Sequence, residues 1–201
     1  MNYLAIDTSN DHLTVVVSNG GTVYKFFDKD CKVQHSVRLM TEVEKLCEKA
    51  DFDLKNADFF AVVTGAGSFT GIRIGVSTVK ALCFACKKPC LNITSFDTVA
   101  YNKENGKVLS LIDAGHNGYY ICGYEDKKIT VPPSYVHGED LKNYSDYEFL
   151  AAEGSGIKGV KEVSVLTGLI RAIEDKKDRA TFDLKEIVPL YVKKSQAEEE
   201  R

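Results

Sequence analysis

Ile6-Asp7-Thr8-Ser9 and Ile112-Asp113-Ala114-Gly115 lie about a hundred residues apart, and each closes an apolar strand with an aspartate and a turn. Tyr3-Leu4-Ala5 leads into the first and Lys107-Val108-Leu109-Ser110-Leu111 into the second. Outward from the first, His12–Ser18 reads as a β-branched strand, Asn19-Gly20-Gly21 as a hairpin turn and Thr22–Phe27 as a third strand. Outward from the second, Ala114–Gly118 is a turn, Tyr119–Tyr124 a strand, Glu125-Asp126-Lys127 a tight turn and Lys128–Val131 another strand. The two meanders share an order of elements rather than an obvious sequence.

The first meander runs into Gln34–Ala50, an amphipathic helix with Leu39, Val43, Leu46 and Ala50 on one face and Met40 and Cys47 beside them. Strand Phe59–Thr64, a glycine-rich turn, a helix over Ile72–Cys86 and strand Cys90–Ile93 complete that half. The second half continues with a polar helix near Gly138–Asn143, strand Tyr147–Ala152 and the turn Glu153-Gly154-Ser155-Gly156. A final amphipathic helix uses Val163, Leu166, Leu169, Ile170 and Ile173. Thr94–Gly106 is the best linker, with Ser95–Asn102 able to form a helix within it. A meander followed by helix, strand, helix, strand is the order of a ribonuclease-H-like α/β unit. Two in tandem resemble the actin, Hsp70 and sugar-kinase (ASKHA) architecture, here with a reduced second unit. The expected units are 1–101 and 102–201, the last helix packing back on the first. Ligands in that architecture sit between the halves, which is an argument from fold alone.

Composition narrows the function classes. With 201 residues and 44% apolar content, the chain can bury a substantial core. A net charge of −3 argues against an autonomous nucleic-acid binder, because phosphate neutralisation needs a basic surface. Met1-Asn2-Tyr3-Leu4 opens directly into a strand, without a secretory leader. The run Ile74–Cys86 is too short to span a bilayer, so the expected location is the cytoplasm. The six cysteines are then reduced thiols. Cys83, Cys86 and Cys90 form C-x2-C-x3-C, but no further Cys or His lies close by, and buried thiols explain them better than a metal does. His12, His35, His116 and His137 are scattered, with no pair at metal-ligand spacing.

Two motifs carry candidate chemistry. Asp7 and Asp113, with Thr8, Ser9 and Gly115 beside them, could hold a metal and a nucleotide phosphate across a cleft. The same aspartates could equally order their turns through side-chain–backbone bonds. The block Gly65-Ala66-Gly67-Ser68-Phe69-Thr70-Gly71-Ile72-Arg73-Ile74-Gly75 either cradles an anion or lets another segment pack closely. It lacks the Gly-Lys-Ser/Thr ending of a P-loop, and Ser68 has Gly71 three residues later, not the two a hydrolase elbow requires. Two acids on an acidic chain are too few for a ribonuclease-H-type nuclease. The helix after the glycine turn is apolar nearly all round: Ile72, Val76, Val79, Cys83 and Cys86 form one stripe, and Ile74, Thr78, Ala81, Leu82 and Ala85 cover most of the rest. Either the core surrounds it or a second chain covers one face.

Leu4-Ala5-Ile6-Asp7-Thr8-Ser9, the whole glycine block, Ile112-Asp113-Ala114 and Pro189-Leu190-Tyr191-Val192 closely resemble the TsaB family, formerly YeaZ. Gly65, Gly67, Ser68, Phe69, Thr70, Gly71, Arg73 and Gly75 match its motif, with Ala66 where the family usually has proline. The resemblance implies a non-catalytic accessory subunit in N6-threonylcarbamoyladenosine synthesis on tRNA. Such a subunit binds and activates TsaD, supports recruitment of the ATPase TsaE, and meets tRNA only through the complex. It needs no cofactor; ATP and metal belong to the partner subunits. Thr94-Ser95-Phe96-Asp97-Thr98-Val99 stands where TsaD carries its His-x-x-x-His metal motif, and it has no histidine. The family pairs its first two helices with those of TsaD, or with a second copy as a homodimer. That places Leu39, Val43, Leu46, Ile72, Val76, Val79, Lys80 and Cys83 at the expected interface. The competing expectation is an independent ATP-dependent phosphotransferase or ATPase using Asp7 and Asp113.

Overall fold

A computed structural model describes residues 1–193. Strands β1 (Tyr3–Asp7), β2 (Leu13–Asn19), β3 (Thr22–Asp28), β4 (Phe59–Val63) and β5 (Cys90–Ile93) form the first sheet in the order β3-β2-β1-β4-β5. The meander is antiparallel, while β4 runs parallel to β1 and β5 parallel to β4. Both β1 and β4 are buried at every residue, and so read as continuous apolar runs rather than alternating ones. Parallel pairing needs crossover connections. Helices α1 (His35–Lys49) and α2 (Phe69–Cys86) supply them, and both cover the face that presents Leu4, Ile6, Val15, Val17, Phe60 and Val62.

The second sheet consists of β6 (Lys107–Gly115), β7 (Gly118–Glu125), β8 (Lys128–His137), β9 (Glu148–Ala152) and β10 (Lys161–Val163), ordered β10-β9-β6-β7-β8. Counted from its own first strand, this is the topology of the first sheet, with the same parallel and antiparallel pairings. The chain is therefore two ribonuclease-H-like units in tandem. What the second unit lacks is its crossover helices. A 3-10 helix at Gly138–Tyr144 stands in the place of α1, and a loop between β9 and β10 in the place of α2.

Between the sheets lie α3 (Ser95–Ala100) and α4 (Val165–Lys176), which occupy equivalent positions after β5 and β10. Phe96, Val99, Leu169 and Ile173 join Ala5, Val16, Ala61 and Val63 of one sheet to Val108, Ile112 and Cys122 of the other in a single core. The helix expected within Ser95–Asn102 forms over Ser95–Ala100, but it is core rather than linker, since every one of its residues is buried. A capping box starts this helix, the Asp97 N–H donating to Thr94 Oγ1 and the Thr94 N–H to Asp97 Oδ2.

Three boundaries also differ. β10 is too short to show a period. β8 continues through Pro132-Pro133 because it is an edge strand, where a missing N–H costs little. Helix α2 starts at Phe69 because Ser68 caps it. At 18 residues and a mean hydropathy of 1.3, it is long and apolar enough to cross a membrane by length and composition, contrary to expectation. Its stripe Ile72, Val76, Val79 and Cys83 lies on the first sheet, as expected of a sheet-covering helix. Beyond α4, Thr181 pairs with Cys90 on the free edge of β5, Ile187 enters the α1/α2 core, and the Leu190 N–H donates to the Thr64 carbonyl at 2.8 Å.

The α3–α4 contact depends on Gly168. A Cβ there would overlap the Thr98 carbonyl oxygen and crowd the Asn102 side-chain nitrogen, which bridges to the Ser164 carbonyl at 3.0 Å. Gly168→Ala is expected to lower unfolding free energy by about 1–3 kcal/mol, through overpacking against backbone that cannot yield. Urea denaturation measures it; wild-type stability would contradict this packing.

Candidate functional site

The glycine block is a seat. At Gly67 φ is +144°, and a Cβ would overlap the Ser9 carbonyl oxygen; one at Gly71 would overlap the Thr8 carbonyl oxygen, and one at Gly75 would stand 2.6 Å from Thr8 Oγ1. The start of α2 therefore rests directly on the backbone of the β1–β2 turn. Hydrogen bonds lock the contact: the Ser68 N–H donates to the Ser9 carbonyl (2.6 Å) and the Thr8 hydroxyl to the Gly71 carbonyl (2.7 Å). Ser68 Oγ accepts from the Gly71 N–H at 3.2 Å. The Ser68 and Gly71 amides are bonded internally, and the block serves close packing rather than an anion. Its partner is the end of β1, together with β4, rather than α1. Phe69 and Arg73 face outward, the guanidinium 3.9 Å above the Phe69 ring and Nε 2.9 Å from the Tyr191 hydroxyl, while the Phe69 and Tyr191 rings stack at 4.4 Å. Thr70 is exposed.

The two aspartates order their turns. Asp7 Oδ1 accepts the Ser9 N–H (2.8 Å) and Asp113 Oδ1 the Gly115 N–H (2.9 Å), equivalent bonds at equivalent strand ends. Beyond that they differ. Asp7 is 1% exposed and its Oδ2 lies 2.9 Å from Nε2 of buried His12, whereas Asp113 and Gly115 are exposed. Burial pushes the Asp7 carboxyl up, but the His12 charge, the His12 hydrogen bond and the Ser9 bonds together outweigh it and leave the carboxyl below its ordinary value. Burial pushes the His12 imidazole down, and the charge and hydrogen bond of Asp7, helped by Asp11 and Glu153, leave it raised. Thr8 and Ser9 are fully buried, the Ser9 hydroxyl accepting from Ser95 Oγ at 2.9 Å. The expected phosphate group of Asp7, Thr8, Ser9, Asp113 and Gly115 is thus not brought together on one surface. Asp7, Thr8 and Ser9 are occupied inside the fold.

A cleft of about 440 Å3 opens between the sheets, lined by His12, Phe27 and Lys29 from the first, Ile112, Asp113 and Tyr120 from the second, and Ser95, Thr98, Val99 and Val165 from α3 and α4. Behind it lies a buried network with no sequence signature. Asp97 Oδ1 receives Lys176 Nζ at 2.7 Å and the Tyr124 hydroxyl at 2.9 Å, and burial drives the tyrosine pKa strongly upward. These partners are 79 and 27 residues away in sequence, and only the fold juxtaposes them. Among the described residues no group of three or more His, Cys, Asp or Glu is placed to hold a metal ion. Cys83 and Cys90 are buried and Cys86 is half-buried.

The expected interface residues need correction. Leu39, Val43, Leu46, Ile72, Val76, Val79 and Cys83 are between 0 and 6% exposed, packed in the core between α1, α2 and the first sheet. Lys80 is half-buried, its ammonium donating to the Ile187 carbonyl at 3.2 Å. A helix resting on a sheet turns its most apolar stripe inward. What faces outward on α2 is Ser77, Ala81, Phe84 and Ala85, with Phe84 83% exposed. On and just before α1 the outward residues are Val33, Val37 and Met40.

The Asp7–His12 pair makes stability depend on pH in a defined way. His12 is raised from its ordinary 6.5, so its contribution is complete below that value and is lost as pH rises through the folded value. Asp7 is lowered from 3.8, so its contribution is complete above that value and is lost as pH falls through the folded one. Breaking such a buried pair costs about 3–5 kcal/mol. His12→Gln should be most destabilised relative to wild type between those ordinary values, with the gap narrowing at alkaline pH. Urea midpoints across pH measure this, and a gap constant with pH would contradict the pairing.

The family model described as TsaD, tRNA N6-adenosine threonylcarbamoyltransferase, matches residues 26–161. TsaB of Bacillus subtilis is 33% identical over 129 residues, covering 63% of this chain and 56% of the relative. TsaB of Escherichia coli is 30% identical over 146 residues, covering 71% and 61%. The chain thus spans under two thirds of the length of these curated relatives. Among solved structures, YeaZ from Pseudomonas aeruginosa superposes with a TM-score of 0.77 at 21% identity, covering 94% of this chain and 99% of that one. A second structure, of a protein with similarity to peptidase YEAZ from Pseudomonas aeruginosa, gives 0.80 at 20% identity, covering 96% and 99%. These superpositions carry the fold, and the sequence matches carry the family. The chain belongs to the TsaB (YeaZ) family, within the wider group defined by the TsaD-type domain.

Proposed function

We propose that this chain is a non-catalytic subunit of tRNA threonylcarbamoyladenosine synthesis, which binds and activates TsaD and allows the pair to recruit TsaE. The observation that carries the reading is the uncovered apolar face of α1 and α2. Phe84, Val37 and Val33 are 83, 76 and 89% exposed, and small residues Ser77, Ala81 and Ala85 flank the phenylalanine. A large aromatic among small residues lets a partner helix approach closely around one anchor. α2 carries charge only at Arg73 and Lys80, and both are held toward the C-terminal segment. Family membership supports TsaD as the occupant, with a second copy of this chain taking its place when it is alone.

In this reading the chain works in the cytoplasm, reaches tRNA only through the complex, and has no cofactor of its own; ATP and metal act in the partner subunits. The division into units at 1–101 and 102–201 then separates a partner-binding half from a smaller one. An independent ATP-dependent phosphotransferase has less support. It requires Asp7 at a phosphate, and Asp7 is 1% exposed and held by His12.

Ala81→Arg and Phe84→Glu should each reduce copurification with TsaD by about tenfold or more, while leaving urea midpoints near wild type because both side chains are exposed. Val79→Glu is unsuitable, since Val79 is fully buried and a carboxylate there would unfold the chain. Wild-type levels of TsaD with both surface variants would overturn the proposed face. Threonylcarbamoylation of tRNA by the chain alone would overturn the non-catalytic role.

A further inference from the structure

The cleft between the sheets is on the opposite face of the first sheet from α1 and α2, so what it does is independent of the partner reading. Its wall holds an unusual donor. His12 is 6% exposed, and Asp7 takes its Nε2 at 2.9 Å. Nδ1 has no hydrogen-bond partner among the described residues, and the ring forms part of the cleft wall. A doubly protonated imidazole has two N–H donors, so the second is left for whatever enters. The Phe27 ring lies 5.7 Å from the imidazole, and Tyr120 lines the cleft from the second sheet. Asp113 and Glu153 also line it, and neither has a cation within ion-pair distance among the described residues.

We propose that this cleft binds a small zwitterion of the amino-acid class, its carboxylate on His12 Nδ1, its ammonium facing Asp113 and Glu153, and an apolar side chain between Phe27 and Tyr120. Charge selects this class over its neighbours. A polyphosphate would meet the carboxylates of Asp113 and Glu153, and Asp11 besides. A simple amine would leave the His12 donor unmet, and a simple carboxylate would leave both acids unmet. A volume of about 440 Å3 suits a ligand of this size.

Titration calorimetry on the full chain near pH 6.5, with L-phenylalanine and L-leucine, tests the proposal. Binding at millimolar or tighter Kd is expected. 3-Phenylpropionate, which lacks the ammonium, and phenethylamine, which lacks the carboxylate, should each bind at least about tenfold more weakly. Glu153→Gln changes an exposed turn residue and should weaken the amino acids about fivefold while leaving the chain folded, as circular dichroism would show. Affinity should also fall as pH rises and His12 loses its second proton. The charges that act on the imidazole are Asp7, Asp11 and Glu153; Lys29 and Asp113 share the cleft, and His35 Nε2 is 2.9 Å from the His12 carbonyl. No binding of either amino acid at about 10 mM, equal binding of a single-charge analogue, or an unchanged Kd in Glu153→Gln would overturn it. ATP binding in place of amino acids would do so too.

Discussion

The first two turns of α2 rest on the peptide groups of Thr8 and Ser9 with no side chain between them. Three glycines at four-residue spacing make that contact: Gly67, just ahead of the helix, against the Ser9 carbonyl, and Gly71 and Gly75, one turn apart within it, against the Thr8 carbonyl and hydroxyl. The consequence reaches far beyond packing. Closing this gap draws the Thr8 hydroxyl onto Gly71, the Ser9 carbonyl onto Ser68 and the Ser9 hydroxyl onto Ser95. In an open cleft the two hydroxyls would be free to donate to a phosphate. Here they hold two helices, α2 and α3, against the end of β1. The seat also fixes the rotation of α2 about its axis, and so determines which of its residues the sheet covers.

The same constraint explains the asymmetry of the two units. Both sheets have one topology, and both place a helix after the fifth strand, α3 or α4, into the shared core. Only the first unit keeps helices on its outer face. On the second, a 3-10 helix and a loop cover the small cluster of Leu109, Leu111 and Ile121. The aspartate bond survives as a turn-forming device in both units, Asp7 to Ser9 and Asp113 to Gly115, but only Asp7 is buried beneath a packed helix. A buried carboxylate needs a partner, and His12 supplies it five residues on. Asp113, with no helix above it, stays in contact with solvent and remains available.

Much of this architecture is legible in residue order. β1, β4 and β5 are short apolar runs bounded by turn residues, and α1 has a clean polar–apolar period. What stays hidden has physical causes. Gly71 reads as part of a break before the helix, whereas it lies inside it, and only contact with Thr8 reveals that the missing side chains of Gly71 and Gly75 are required. α3 reads as a helix inside a linker rather than as core because its six residues include Ser95, Asp97 and Thr98. Those polar groups are satisfied by the capping box, Tyr124, Lys176 and local carbonyls, which composition does not report. The Asp7–His12 pair was within reach, because two turn-flanking residues of opposite charge lie close in sequence. Its burial was not.

The partner face presents the sharpest case. A helix with apolar residues all round gives no phase information, because every rotation buries some hydrophobic stripe. Choosing the strongest stripe as the interface selects Ile72, Val76, Val79 and Cys83, which are the residues the chain needs for itself. A folded monomer must satisfy its own core before any partner arrives. What it can offer afterwards is the remainder: on α2, small residues around Phe84. Large exposed aromatics are costly to leave in water unless something covers them. The weaker stripe, with its one large anchor, is therefore the better marker for the proposed contact with another chain.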